Sequence, residues 1–273
     1  MNIPRFPAGE VASALGASSA TFLGSGAFGD TWRVADTAVK IICEDGYPPE
    51  RVAREVRGLQ RVSSDHVVKL LAADTVLLGG KLRPALTFEF VSGGDLEAVI
   101  AAGVVPGADD VDALLIGLLR GLRDMHVADG TVHRDVKPPN IALRDGKWSQ
   151  PVLLDLGLAR STTEDTVTVY PGRLGTAKYM APEQIRGERA RKAADLFAVG
   201  VTVRAVAAGE HPFYDPTASY TWDEALAAIA AGPRALPDGL SDRAKTVLDR
   251  LVSFEEFARG SASSNLKRME QEA

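Results

Sequence analysis

The chain has 273 residues, of which 45% are hydrophobic and 25% charged, so it can bury a substantial core as one two-lobed domain or two small ones. Its formal net charge of −5 argues against nucleic acid as the main partner, because nucleic-acid binding rewards a dense basic surface. The single cysteine, Cys43, excludes an internal disulfide framework and fits a reducing compartment.

The beginning of the chain is predicted to form strands around one helix. Three segments rich in β-branched and aromatic residues are predicted strands: residues 20–23, 31–34 and 37–42. Ala35 and Asp36 leave room only for a tight hairpin between the last two. Residues 51–62 are predicted to be helical because apolar side chains recur along one stripe: Val52, Val56, Leu59 and Val62. Residues 85–91 return to strand.

Helices dominate the remainder of the chain. Residues 111–125 carry leucines at helical spacing, at positions 114, 115, 118, 119 and 122, and residues 151–154 are predicted to be a short buried strand. Residues 195–208 are apolar on nearly every side, as expected of a helix enclosed by its own lobe. This stretch is too short to span a bilayer, and Arg204 interrupts it. The N-terminal residues contain no apolar run of signal-peptide length. We expect a cytoplasmic protein without a membrane segment.

Three glycines, Gly24, Gly26 and Gly29, lie between two predicted strands. Because glycine lacks a Cβ, the backbone there can close over phosphate oxygens and donate N–H groups to them. A dinucleotide-binding fingerprint of the same spacing would need a helix immediately afterwards, whereas residues 31–34 are predicted to be a strand. A plain glycine-rich hairpin is the alternative.

A charged pair is predicted behind this loop. Glu55 lies three residues after Val52 and four before Leu59, so its carboxylate lies on the apolar face of its helix. A carboxylate that points inward needs a cation, and Lys40, at the end of an apolar strand, is the expected partner.

Six segments follow one another along the chain: Gly24-Ser25-Gly26-Ala27-Phe28-Gly29, Ala38-Val39-Lys40, Glu55, residues 133–140 (HRDVKPPN), Asp155-Leu156-Gly157 and Ala181-Pro182-Glu183. In kind and order they resemble the signature set of the protein kinase family, in its bacterial branch of eukaryotic-like (Hanks-type) serine/threonine kinases. The resemblance covers residues 21–269. It implies an α+β bilobal fold, with a small β-rich N-lobe holding one key helix and a larger, mainly helical C-lobe.

The resemblance also implies domain boundaries. Residues 1–18 would be an N-terminal extension, residues 19–265 the kinase domain and residues 266–273 the C-terminal end. Within the kinase domain, the N-lobe would run over residues 19–90 and the C-lobe over 91–265.

The catalytic roles follow from the resemblance. Asp135 would accept the proton of the substrate hydroxyl, and Lys137 would neutralise the moving γ-phosphate. Asn140 and Asp155 would hold Mg²⁺, with Mn²⁺ as a substitute, since oxygen ligands suit such ions. His133 is expected to be a packed structural residue.

The nucleotide contacts are implied in the same way. Lys40 would bind the α- and β-phosphates of ATP, with Glu55 as its partner, and the remaining contacts would be made by Ala38, Glu89, Val91 and Asp95. Adenine would meet the backbone of Glu89 and Val91, and Asp95 would meet the ribose hydroxyls. Asp95 as a helix N-cap is compatible with this role.

The segment between Asp155 and Glu183 indicates the substrate class and its control. Thr176 marks serine/threonine kinases, and Arg134 beside the base would bind a phosphorylated residue of the activation segment. Thr168 is the first candidate for that residue and Thr166 the second. Three further residues are given structural roles: Glu183 paired with Arg259, and Asp195 supporting the catalytic loop.

We therefore predict an ATP-dependent protein kinase that phosphorylates Ser and Thr hydroxyls of proteins and its own activation segment. A homodimer for trans-autophosphorylation is left open. Two alternatives are a pseudokinase that serves as an interaction module and a small-molecule kinase of the aminoglycoside type. The pseudokinase is disfavoured because five residues are all present: Lys40, Glu55, Asp135, Asn140 and Asp155. The small-molecule kinase is disfavoured because kinases of that type lack the element that this chain has at residues 175–183.

Overall fold

The computed structural model describes residues 3–26, 28–128, 131–155, 177–215 and 217–271, except for the side chains of residues 54, 55 and 177. These residues form two compact units. The first contains residues 3–61 and Val68–Phe90. The second contains Val62–Val67 and the described residues from 91 onward.

The first unit is an antiparallel sheet with two helices. Its elements in chain order are α1 Ala8–Ala14, β1 Thr21–Ser25, β2 Gly29–Val34, β3 Thr37–Ile42, α2 Pro49–Gln60, β4 Leu70–Leu78 and β5 Lys81–Glu89. In the described part the strand order is β1-β2-β3-β5-β4. Val34 pairs with Thr37 across the predicted hairpin, and Ala35 takes a positive φ of 51° there.

The core of this sheet includes the N-terminal helix α1. Trp32, Ile41 and Leu78 are buried beneath it, and Val11 of α1 is fully buried against them. The segment expected to be an extension is thus packed into the first unit, where it buries apolar surface that the sheet would otherwise expose.

The second unit is mainly helical. Its elements are α3 Leu96–Ala101, α4 Ala108–Val127, β6 Ile141–Leu143, β7 Pro151–Leu153, α5 Pro182–Ile185, α6 Lys192–Ala208, α7 Trp222–Ala230, α8 Asp242–Leu251 and α9 Ala262–Glu270. Short 3₁₀ turns occur at Pro138–Asn140, Arg144–Gly146, Ala177–Tyr179 and Glu256–Arg259. Among the described helices, none combines the length and the apolar composition that crossing a membrane requires.

Helices α4 and α6 form the centre of this unit. The predicted leucine face of α4 is fully buried, and α6 packs against α4, α8 and the turn at Glu256–Arg259. Gly117 of α4 permits close packing, because a Cβ there would lie 2.6 Å from the ring of Pro151. The short β6–β7 hairpin therefore lies directly on α4, which fixes the loop that precedes it.

Candidate active site

The loop before β6, residues 133–140, is held by a buried carboxylate on α6. Asp195 is 1% exposed, and its Oδ2 and Oδ1 accept the backbone N–H groups of His133 and Arg134 at 2.9 and 2.7 Å. The same carboxylate accepts a hydrogen bond from His126 Nε2 at 2.8 Å. The position expected of Asp195, supporting this loop, is where the structure places it.

His133 uses both ring nitrogens inside the protein. Its Nε2 donates to the carbonyl of Leu154 at 2.8 Å, so its Nδ1 is the acceptor for the N–H of Asp135 at 3.4 Å. The ring is buried, and it connects the loop to the end of β7. This arrangement is that of a packed structural residue rather than of an acid, base or metal ligand.

Three predicted catalytic side chains meet at one point of the loop. Lys137 Nζ lies 2.9 Å from Asp135 Oδ2, with the lysine side chain 18% exposed and the aspartate 47% exposed. Asn140 Nδ2 donates to the backbone carbonyl of Asp135 at 2.8 Å and to its Oδ2 at 3.0 Å. A solvent-accessible carboxylate thus lies beside a fixed cation, in a region from which a hydroxyl-bearing substrate could reach it.

The β6–β7 hairpin brings Asn140 next to Asp155. Ile141 pairs with Leu153, and the N–H of Leu154 donates to the carbonyl of Asn140 at 2.8 Å, so Asp155 is adjacent to the position opposite Asn140. Asp155 adopts a positive φ of 49°. Such left-handed backbone is uncommon outside glycine and concentrates at functional sites.

The donor set of this pair fits a hard divalent ion. Because the Nδ2 of Asn140 is committed to Asp135, its Oδ1 is the atom left to face a cation. Together with the carboxylate of Asp155, it offers the oxygen ligands that Mg²⁺ prefers.

The loop also has a strained residue at Arg134. Its φ is 69°, a conformation that costs free energy in a non-glycine residue and is held here by its surroundings. The backbone on both sides is fixed, since the N–H of Arg134 donates to Asp195 and its carbonyl accepts from Gln184 Nε2 at 3.4 Å.

Glu183 and Arg259 form a bidentate pair in the interior. Arg259 Nη1 and Nη2 donate to the two carboxylate oxygens of Glu183 at 2.7 and 2.9 Å. The other three guanidinium N–H groups donate to backbone carbonyls, namely those of Ser253, Ala193 and Phe254. Arg259 is fully buried with all five of its donors satisfied. The structure thus brings together the two residues that the family resemblance pairs.

Three residues of this framework were not predicted from the sequence. His126 donates to Asp195, and Lys192 Nζ donates to the carbonyl of His126 at 2.6 Å. Gln184 joins the loop at Arg134 and accepts from the N–H of Ala181 at 3.1 Å. One signal was available, since His126 extends the apolar face of α4 and a histidine on such a face needs a partner.

In the first unit, the glycine-rich segment joins β1 to β2. Gly24 lies in β1 and Gly29 begins β2, and the N–H of Gly26 donates to the carbonyl of Gly29 at 2.8 Å. Lys40 lies in β3, opposite Leu86 of β5 in the strand register, and is 9% exposed. Glu55 falls within α2. Its side chain is outside the described residues, so its pairing with Lys40 stays a prediction.

The predicted adenine contacts lie in β3, at the end of β5 and just after it. Ala38 pairs with Phe88, and the Glu89 N–H and carboxylate bond to the Lys69 backbone at 3.0 and 3.1 Å. Val91, two residues after β5, belongs to the second unit and is largely buried.

Asp95 caps helix α3. Its Oδ1 accepts from the N–H of Ala98 at 2.8 Å. This is the N-cap role, which is compatible with the ribose contact expected of Asp95. Gly93, just before it, has a φ of 100°, and a Cβ there would lie 2.2 Å from both the Leu143 carbonyl and the Gly146 nitrogen. This turn is therefore tightly packed on the β6 end.

The activation-segment candidates Thr166, Thr168 and Thr176 lie outside the described residues. The segment is described again from residue 177, where the carbonyl of Lys178 accepts from His211 Nε2 at 3.0 Å. Burial lowers the pKa of His211 to about 4, an effect larger than the opposing hydrogen bond to Lys178. Burial also raises the pKa of Tyr179 to about 12. Both side chains are uncharged near neutral pH and pack as an apolar support for this turn.

The described chain thus combines a five-stranded antiparallel sheet with a helical unit, and a buried aspartate of that unit holds a loop that carries Asp135, Lys137 and Asn140. The chain belongs to the protein kinase domain family, whose model matches residues 18–269. The predicted family and the predicted α+β fold are confirmed.

Three similar proteins indicate which branch of the protein kinase family this chain resembles. The chain is 34% identical over 190 residues to the probable serine/threonine-protein kinase PkwA of Thermomonospora curvata, covering 69% of this chain and 24% of the relative. It is 31% identical over 265 residues to the serine/threonine-protein kinase PkaA of Streptomyces coelicolor, covering 87% of this chain and 48% of that protein. With the probable serine/threonine-protein kinase PknB of Corynebacterium glutamicum the identity is 30% over 203 residues, or 70% and 31% of the two chains.

All three relatives are bacterial proteins named as serine/threonine-protein kinases or probable ones, which confirms the predicted bacterial branch of the family. The chain spans between 24% and 48% of their length.

Proposed function

We propose that this chain is an ATP-dependent kinase that transfers the γ-phosphoryl group to Ser and Thr hydroxyls of proteins. The observation that carries the proposal is the joint placement of Asp135, Lys137 and Asn140 on a loop whose backbone is fixed by Asp195. Phosphoryl transfer needs an oriented hydroxyl and positive charge near the phosphates more than it needs covalent chemistry from the protein.

Asp135 is the proposed base. Its exposed carboxylate would accept the proton of the substrate hydroxyl while that oxygen bonds to the γ-phosphorus and the bond to the β-phosphate oxygen breaks, leaving ADP. Lys137, 2.9 Å away, would offset the negative charge that moves past it. Asn140 fixes the carboxylate by donating to its Oδ2. A magnesium or manganese ion held by Asn140 Oδ1 and Asp155 would neutralise phosphate charge.

The nucleotide is proposed to bind along the first unit and the segment after β5. The loop of Gly24, Gly26 and Gly29 would cover the phosphates, and Lys40, supported by Glu55, would bind the α- and β-phosphates. Ala38 would pack on the adenine and the backbone of residues 89 and 91 would bond to it, with Asp95 at the ribose. In the described part no backbone hydrogen bond from the Val91 N–H is seen, which supports a role as an adenine donor.

Autophosphorylation of the activation segment is part of the proposal, with Thr168 before Thr166 as the acceptor and Arg134 as the phosphate ligand. Thr176 would mark the Ser/Thr class. A transient homodimer would let one copy phosphorylate another. We also propose a cytoplasmic location, on the ground of the lone cysteine, Cys43.

The test is transfer of labelled phosphate from Mg-ATP to a generic protein substrate, with mass spectrometry of the phosphorylated sites. The Asp135→Asn variant is expected to lower kcat by about 10²–10⁴-fold, the usual contribution of a positioned base, while Mg-ATP still raises the melting temperature. Asp223→Asn, an exposed acid in α7, is the matched control and should be fully active.

Each other outcome rejects the proposal in a distinct way. Nucleotide binding by the wild type without transfer indicates a pseudokinase. Transfer to an aminoglycoside but not to protein indicates a small-molecule kinase. Equal phosphorylation of the activation segment in wild type and Asp135→Asn, each expressed alone, would show that another kinase modifies it.

A further inference from the structure

An arginine from the N-terminal segment contacts the glycine-rich loop. Arg5 Nη2 donates to the carbonyl of Gly26 at 2.8 Å, and its Nη1 donates to Ser25 Oγ at 2.6 Å and to Asp30 Oδ1. The backbone N–H of Arg5 donates to Asp30 Oδ2 at 2.6 Å. These four residues, Arg5, Ser25, Gly26 and Asp30, are called the Arg5 cluster. One guanidinium thus joins the end of β1, the loop and the start of β2.

The cluster contains a buried charge that needs this arginine. Asp30 is 0% exposed and directly follows Gly29, the last glycine of the loop. Its carboxylate accepts from Arg5 and also from Ser25 Oγ at 2.7 Å. A buried carboxylate is strongly unfavourable unless it is paired and hydrogen-bonded, so Asp30 and Arg5 stabilise one another's positions.

The segment that carries Arg5 is itself anchored to the sheet. Phe6 packs against Gly79, where a Cβ would lie 2.6 Å from the ring, and Arg83 lies over the same ring at 5.2 Å. Glu10 Oε1 accepts from the N–H of Gly79 at 3.1 Å, and Val11 is buried in the sheet core. The segment that carries Arg5 is therefore held in place by contacts that do not involve the glycine-rich loop.

We propose that Arg5 is a positioning residue for ATP, which holds the glycine-rich loop in one arrangement before the nucleotide arrives. The inference rests on the proposed function, since it assigns Arg5 to the same nucleotide site. A glycine-rich loop loses conformational entropy when it becomes ordered around phosphates. A loop that is already anchored loses less of that entropy on binding. The N-terminal segment thereby sets the affinity for ATP without touching the reacting atoms.

Two variants separate the loop contact from the neutralisation of Asp30. Arg5→Lys keeps a positive charge beside the buried carboxylate but cannot reproduce the planar fork that reaches Ser25, Asp30 and the Gly26 carbonyl together. Arg5→Ala/Asp30→Asn removes the buried charge together with the arginine and leaves an amide to bond with Ser25. Both should fold, as a melting curve would show. Glu10→Gln, on the same segment but bonded to Gly79, is the matched control.

The expected result is a rise of about three- to tenfold in the KM and Kd for Mg-ATP in both Arg5 variants, the size that corresponds to the net contribution of one hydrogen bond. We expect kcat to change by less than about twofold, since the described hydrogen-bond partners of Arg5 (Ser25, Gly26 and Asp30) are not proposed to take part in the chemical step. Glu10→Gln should match the wild type. Faster amide exchange in residues 21–32 without nucleotide should accompany the change. KM and Kd values equal to those of the wild type in both Arg5 variants would overturn the proposal, as would an equal loss of kcat.

The exchange measurement keeps this test apart from that of the proposed function. If the wild type binds no Mg-ATP, the proposed function fails, and the effect of Arg5 on ATP affinity fails with it. Exchange then decides the structural part of the proposal: unchanged exchange of residues 21–32 in Arg5→Lys overturns the anchoring of the loop by Arg5, whereas faster exchange supports it.

Discussion

Replacing Arg259 by methionine is expected to destabilise the second unit by about 3–5 kcal/mol, the usual cost of breaking a buried ion pair. The magnitude follows from what the change leaves behind. Glu183 is 4% exposed, so its carboxylate would stay in the interior with its two Arg259 hydrogen bonds gone. The backbone carbonyls of Ser253, Ala193 and Phe254 would lose their donor as well.

The loss is measured by urea unfolding and by thermal melting. For a chain of this size, each kcal/mol lowers the melting temperature by about 2–4 °C, so Arg259→Met should lower it by about 6–20 °C. The control is Arg120→Met, which removes a pair of the same chemistry on the surface. Arg120 Nη2 lies 2.8 Å from Glu270 Oε1 with both side chains 44% exposed, and its loss should cost less than about 1 kcal/mol.

A double substitution separates the two sources of the loss. In Arg259→Met/Glu183→Gln neither member of this pair leaves an unpaired charge at the buried site, so this variant should be more stable than Arg259→Met alone. If the two are equally stable, the lost backbone hydrogen bonds account for the cost and the unpaired carboxylate does not. If Arg259→Met lies within about 1 kcal/mol of Arg120→Met, the reasoning from burial is refuted.

Two further predictions concern the second unit. Because burial depresses the pKa of His211 to about 4, the unfolded chain binds the extra proton between pH 6.5 and 4. The wild type should therefore lose about 2 kcal/mol more than His211→Asn between pH 7 and pH 5, as seen in urea midpoints, and parallel losses would contradict this. Gly93→Ala should cost more than Gly94→Ala, because both residues have positive φ but only a Cβ at Gly93 would strike Leu143 and Gly146. Equal midpoints in urea unfolding would count against that clash.

The elements that were predicted from the sequence are those with a strong local pattern. The strand expected over 37–42 has the bounds of β3, Thr37–Ile42, and the leucine helix expected over 111–125 lies inside α4. By contrast, β4 was not predicted. Its sequence, LLAADTVLL, includes alanine and aspartate, which disfavour strands, and most of it is exposed. Pairing with β5 along its length makes it a strand, and a contact of that kind leaves no periodic pattern.

Helix α1 was missed for a related reason. It has seven residues, follows Pro7 and has no side-chain N-cap, so it would be marginal in isolation. Burial of Val11 against the sheet supplies the stability that its own sequence lacks.

The candidate site was predictable to the extent that it depends on residue identity and order. Asp135, Asn140 and Asp155 were expected from the family resemblance, and the β6–β7 hairpin places Asp155 one residue past the position opposite Asn140. Contacts between side chains and backbone carbonyls were not predictable. Lys192 bonds to the carbonyl of His126 and Arg5 to that of Gly26. Any residue supplies a carbonyl, so neither contact is marked by the type of its partner.

Exposure separates the acidic residues by role. Asp30, Glu183 and Asp195 are 0–4% exposed, and each accepts at least two hydrogen bonds that hold backbone or other side chains in place. Because each of these carboxylates is buried and hydrogen-bonded, it serves as a fixed support. Asp135 differs, because its side chain is 47% exposed. The role proposed for Asp135, accepting a proton from an incoming hydroxyl, requires a carboxylate that a substrate can reach, and the loop that Asp195 holds leaves Asp135 exposed.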